Sequence, residues 1–223
     1  MKGFVFTFRK PARSRSPHSL RLPDFRGIFR RYGVAMLCVL LLLTGLIFGA
    51  FCAGSADSGL LQSLDFLFTT NLSERLSKGA LGVFCACFAS DFLFLTAVYL
   101  FGTAPWGIPF GAFIVLFKGF GTGLTAASLF LNNGVGGMGF YLLVLLPGTF
   151  LFCVALVVFA SHAFHFSKDQ FLLIIGRESP SQSALKRLRT YSSRFLSALI
   201  MTFCAALLDT VLWTLFAGAF HFT

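Results

Sequence analysis

Three formal charges sit in the middle of otherwise apolar runs: Asp91 in LGVFCACFASDFLFLTAVYLF, Lys118 in WGIPFGAFIVLFKGFGTGLTAASLFL and Asp209 in FLSALIMTFCAALLDTVLWTLF. Left alone in hydrocarbon, each would cost at least ~2.5–3.5 kcal/mol, so each should face the interior of a helix bundle and meet a partner there. At about 1.5 Å of rise per residue, Asp91, Lys118 and Asp209 lie roughly 15, 19 and 21 Å from the same membrane edge. The lysine can therefore reach Asp91, Asp209 or both. Two acids to one base leave a surplus negative charge, which a proton on one carboxyl would relieve. The set reads either as a structural buried ion pair or as a proton or cation relay. A relay needs polar groups along a path, and the first and fourth apolar runs offer almost none, which favours the structural pair.

No other constellation carries chemistry. His162 and His165 stand three apart, but no acid or third imidazole lies close in sequence, so they read as interfacial histidines rather than metal ligands. The six cysteines lie within or at the ends of apolar runs, without a CxxC pair, and read as small hydrophobes. GFGTG, at residues 119–123, follows no strand, so it is not a phosphate-binding loop. No catalytic residue, cofactor site or metal site is expected.

The elements that must position the three charges are membrane helices. Of 223 residues, 57% are hydrophobic and 12% charged, where a soluble domain keeps about 25% charged. Five runs are long enough to span a bilayer: Val34–Ala53, Ala80–Phe101, Trp106–Leu131, Gly139–Ser161 and Phe195–Phe216. They are apolar all round rather than alternating, which argues for helices over a β-barrel. The expected fold is an all-α integral membrane protein, a bundle of five transmembrane helices over residues 34–220. The first run exceeds a signal-peptide core and reads as a retained anchor.

Basic residues set the orientation. The tail 1–33 holds nine Lys or Arg against the single acid Asp24, and reads as cytoplasmic and mostly disordered. A second basic cytoplasmic segment is the linker 163–194, with Lys168, Arg177, Lys186, Arg187, Arg189 and Arg194. Five spans leave fifteen of the 18 Lys and Arg inside, put only Arg75 and Lys78 outside, and make the C-terminus extracytoplasmic. The excess charge reads as attraction to anionic lipid headgroups. No nucleic-acid motif occurs. In the external segment 58–78, Leu61, Leu64, Phe68, Leu72 and Leu76 recur at three-to-four spacing, as in an amphipathic helix that either links spans or offers a docking face. Asn71-Leu72-Ser73 in it fits a glycosylation sequon.

Within the third run, Gly107, Gly111, Gly119, Gly123 and Ala127 fall on a four-residue step, a small-residue ridge that lets another backbone approach. Lys118 lies seven residues from Gly111 and so faces nearly the same way, making this the most buried helix. Pro147 is expected to kink or break the fourth span.

The run WGIPFGAFIVLFKGFGTGLTAASLFLNNGVGGMGFYLLVLLPGTFLF resembles the core of the stage II sporulation protein M family, through Gly107, Pro109, Phe117, Lys118, Gly119, Phe120, Gly123 and Pro147. Asp209 matches a late acid that is usually glutamate followed by tyrosine and proline. Here DTVLWTLF stands instead, and Gly148-Thr149 stands where a glutamine-asparagine pair commonly follows the leucine-proline. The resemblance covers about residues 30 to 220. It implies a bacterial five-span protein of the cytoplasmic membrane, without catalysis of its own. Its sporulating members hold peptidoglycan-degrading partners, a lytic transglycosylase and an amidase-endopeptidase, during engulfment of the forespore. The competing expectation is a small proton- or ion-coupled transporter using Asp91, Lys118 and Asp209. Oligomeric state and partner identity are not legible.

Overall fold

A computed structural model describes residues 25–54, 79–176 and 184–216. Among the described residues the regular structure is entirely helical: α1 (Phe25–Ala53), α2 (Ala80–Gly102), α3 (Gly107–Phe140), a π turn (Tyr141–Leu145), α4 (Leu146–Ile174) and α5 (Ala184–Phe216). The external segment 58–78 with its sequon, and most of the tail 1–33, lie outside the described residues.

Among the described residues, four continuous helical stretches are long and apolar enough to cross a membrane: Gly33–Ala53, Ala80–Gly102, Gly107–Ile174 and Leu185–Phe216. The third contains 68 residues, about 100 Å of helix against a hydrocarbon core of ~30 Å. It does not run straight. Gly134, at φ 57° and ψ −139°, leaves the helical region for a conformation open mainly to glycine. Its two limbs fold back on each other, so that Gly111 near the start of α3 faces the ring of Phe164 near the end of α4. The reversal falls in residues 132–138, between the third and fourth apolar runs.

The helices outrun the apolar runs. α1 starts at Phe25, inside the stretch expected as tail, and the expected linker 163–194 is largely helix, because α4 continues to Ile174 and α5 begins at Ala184. Hydropathy marks where side chains leave hydrocarbon, whereas the backbone ladder stops at a breaker. On α4 that breaker is Gly176, at φ 71°, whose N–H donates to the Leu173 carbonyl.

Of the two outcomes expected at Pro147, a kink or a break, the continuous helix excludes the break. Pro147 follows the π turn: the Leu146 N–H reaches back five residues to the Tyr141 carbonyl, and the chain passes into α4 without interruption. Proline cannot donate to the carbonyl four residues before it, and a π turn is one way a helix absorbs a local mismatch.

Two buried apolar clusters fill the bundle. One includes Phe94, Val115, Phe152, Leu156 and Phe159. The other includes Val83, Leu129, Phe140, Val144 and Trp213. α1 joins by backbone proximity. Gly45 and Gly49 on α1 lie against the backbone of Leu116 and Phe120, while Gly119 and Gly123 on α3 lie against the carbonyls of Leu42 and Leu46. A Cβ at any of the four would overlap backbone atoms that cannot move alone. The small-residue ridge is thus divided between neighbours, since Gly107 abuts the Phe101 carbonyl and Gly111 abuts α4.

Gly119→Leu should separate α1 from α3 and lower stability by about 2 kcal/mol or more, read as a fall in the midpoint of detergent unfolding. At the reversal, Gly134→Ala should cost ~1–3 kcal/mol through strain. Gly136→Ala, where a Cβ meets nothing within 4 Å, should cost much less, and equal effects at 134 and 136 would contradict the strain argument.

Candidate functional site

Asp91 lies midway along α2, between Cys87 one turn before it and Phe94 one turn after. Lys118 occupies the middle of α3. The structure brings them together: Lys118 Nζ donates to Asp91 Oδ1 at 2.8 Å, with the two side chains 8% and 14% exposed. Nζ also lies 4.9 Å from the Phe94 ring centroid and 4.8 Å from that of Phe152. The ammonium is thus held by a carboxylate and by the negative faces of two rings, which recover part of the hydration it gives up. Phe152 reaches Lys118 only because the chain reverses at Gly134.

Asp209 enters the same region from α5, 8% exposed. Its Oδ2 accepts a hydrogen bond from Cys87 Sγ at 3.0 Å. Of the two partners that depth allowed Lys118, the ion-pair geometry therefore falls on Asp91, and Asp209 takes a thiol from the helix that carries Asp91. A cavity of about 50 Å³ connects the two acids. α2 contributes Cys87, Ser90 and Asp91, and α3 contributes Lys118, Thr122 and Thr125. Tyr141 and Leu145 of the π turn, Gly148 and Thr149 of α4 and Asp209 of α5 complete the wall. The Thr122 hydroxyl donates to the Gly119 carbonyl at 2.7 Å and Thr125 to Gly121 at 2.9 Å. Their protons are committed to their own helix, and their oxygens remain acceptors. Room for a few waters exists on the measure by which one water needs about 10–15 Å³.

Gly148 sets the approach of α4 to α5. A Cβ there would stand 2.9 Å from the Asp209 Cβ and 3.0 Å from the Ala205 carbonyl oxygen. Gly148, a position where this chain departs from the pattern it resembles, thus faces Asp209, which matches that pattern's late acid.

Several participants escaped the sequence reading. Cys87 was grouped with the packing cysteines, although it lies one turn from Asp91. Ser90, Tyr141 and Thr149 gave no signal alone. Gly45 and Gly49 did carry one, a four-residue glycine step within the first apolar run. His162 and His165 line a separate pocket between α4 and α5, with the Arg194 guanidinium against the His162 ring. Among the described residues no three His, Cys, Asp or Glu side chains converge as metal ligands. Ala127 is partly buried.

The family model described as Stage II sporulation protein M matches residues 38–213, a span that takes in every residue of the charged centre. No curated protein and no solved structure matches the chain.

Removing one partner of a buried pair leaves the other charge uncompensated, at about 3–5 kcal/mol. Lys118→Met and Asp91→Asn should each destabilise the protein on that scale. The double variant should be less destabilised than the sum of the singles, which a double-mutant cycle on detergent unfolding measures. Strict additivity would show that the pair does not couple.

Proposed function

We propose that this chain, which belongs to the Stage II sporulation protein M family, is a non-catalytic scaffold of the bacterial cytoplasmic membrane. In this reading it positions peptidoglycan hydrolases during forespore engulfment or related envelope remodelling. The observation that carries the reading is the extent of the family match over residues 38–213. The character of the interior supports it as well. The polar centre is small and lies between two apolar clusters, with the Lys118–Asp91 ion pair at its middle.

The chain would cross the membrane five times, with its N-terminus cytoplasmic and its C-terminus outside. The reversal at Gly134 supports this, because it divides the 68-residue apolar stretch into two antiparallel limbs. The distribution of Lys and Arg supports it too. The faces outside would then be residues 55–78, the Gly134 turn and the end of the chain. The amphipathic pattern in 58–78 is the docking face we assign to an extracytoplasmic hydrolase.

A second reading rests on one specific observation, the cavity that joins Asp209, Cys87, Ser90, Thr122 and Thr125 to the Asp91–Lys118 pair. It would make the protein a small proton- or ion-coupled transporter.

Three measurements separate these readings. Affinity capture of the full chain from detergent should recover a peptidoglycan hydrolase, and deletion should alter septal wall thinning; failure of both would sink the scaffold. A pH-dependent proteoliposome flux lost in Asp91→Asn would establish the transporter instead. For topology, protease added to intact spheroplasts should cut a tag inserted beside Gly136 and spare one beside Gly176, and the reverse pattern would invert the orientation.

A further inference from the structure

We propose that the pocket between α4 and α5 is a specific binding site for the phosphate headgroup of an anionic phospholipid. α4 changes from apolar residues to SHAFHFSKDQ at Ser161, and α5 changes from LKRLRTYSSR to FLSALIMTF at Phe195. The two changes lie at one level, since Arg194 Nη1 is 2.8 Å from His162 Nε2. That level is where hydrocarbon gives way to headgroups.

At this height lies a pocket of about 240 Å³, lined by His162, His165, Asp169, Arg187, Thr190 and Arg194. Arg187 and Arg194 are seven residues apart and share one face of α5, about 10 Å apart along its axis. Each presents a planar fork of donors that fits phosphate oxygens in pairs. Among the described residues that line the pocket, the single acid, Asp169, stands 3.9 Å from Arg187 Nη2, too far for a hydrogen bond. Two guanidiniums face one carboxylate, so the pocket is positive without any contribution from its histidines.

The floor of the pocket is fixed. Tyr191 is 3% exposed, stacks on Phe166 with ring centroids 4.5 Å apart, and donates its hydroxyl proton to the Tyr99 carbonyl at 3.1 Å. A preformed site loses little side-chain freedom when its ligand arrives.

Room for acyl chains adjoins the pocket. One and two turns before His162 on α4, Val158 and Val154 are exposed. Both line an apolar groove of about 420 Å³ between α4 and Val39, Leu43 and Leu46 of α1. A cationic pocket at headgroup height beside an apolar groove has the two-part chemistry of a phospholipid; a soluble anion would use only the first part. Basic pockets between membrane helices commonly hold such headgroups. The site is independent of any hydrolase partner, so it stands or falls separately from the scaffold reading.

The test is native mass spectrometry of the full chain released from micelles containing phosphatidylglycerol and phosphatidylcholine in equal amounts. The wild type should retain phosphatidylglycerol preferentially, and Arg187→Gln with Arg194→Gln should lower that retention by about tenfold, as expected for the loss of charge-assisted hydrogen bonds. Lys186→Gln with Arg189→Gln removes the same charge from exposed positions outside the pocket and should leave retention unchanged. Should the double glutamine variant fail to fold, Arg187→Lys with Arg194→Lys keeps the charge but not the fork and should still reduce retention. Equal losses in the pocket and control variants would reduce the effect to diffuse attraction and overturn the site. Unchanged retention in the pocket variants would also overturn it, and displacement of the lipid by inorganic phosphate would reassign it to a free anion.

Discussion

A charge survives in the interior of a bilayer only when its surroundings replace the water it has lost, and the Lys118–Asp91 pair imposes that requirement on everything around it. The pair fixes α2 and α3 at matching heights. One of the two aromatic faces over the ammonium is Phe152, which α4 brings there by returning alongside α3. The glycine reversal at Gly134 is the local backbone means of that return. Asp209 then brings a second acid into the same small space, where the Cys87 thiol donates to it.

The other organising constraint is distance between backbones. Membrane helices gain nothing from squeezing out water, so they associate through close packing and polar contact. α1 carries no charge in its apolar run and relies on closeness: two glycines on its side and two on α3 remove the side chains that would hold the axes apart. The centre of the bundle and its edge are thus built by different forces, electrostatic in one place and dispersive in the other.

Much of this was readable from residue types and spacing, because hydrocarbon permits few solutions. All-round apolarity implied helices, the gap after Leu131 separated the third run from the fourth, and depth along each run put three charges at one height. Rotation about the helix axis was not readable. Height alone could not choose between Asp91 and Asp209 as the partner of Lys118, since that choice depends on which way each helix faces. Cys87 was missed for a related reason: a thiol in an apolar run looks like packing until a carboxylate is found opposite. Hydropathy marked the spans and not the helix ends, because it reports solvent preference and not hydrogen bonding, so α4 and α5 extend well beyond the apolar residues that announced them.

The order of the paired residues along the chain bears on biogenesis. A polypeptide folds and enters the membrane from its N-terminal end during synthesis. Asp91 precedes Lys118 by 27 residues, so the carboxylate is synthesised before the lysine that pairs with it. A short acidic side chain waits, and the long flexible cation, best able to keep its charge near the interface meanwhile, is the one that has to search. The glycine step of α1 is synthesised earlier still, so both the counter-ion and the closest neighbour of α3 precede it along the chain.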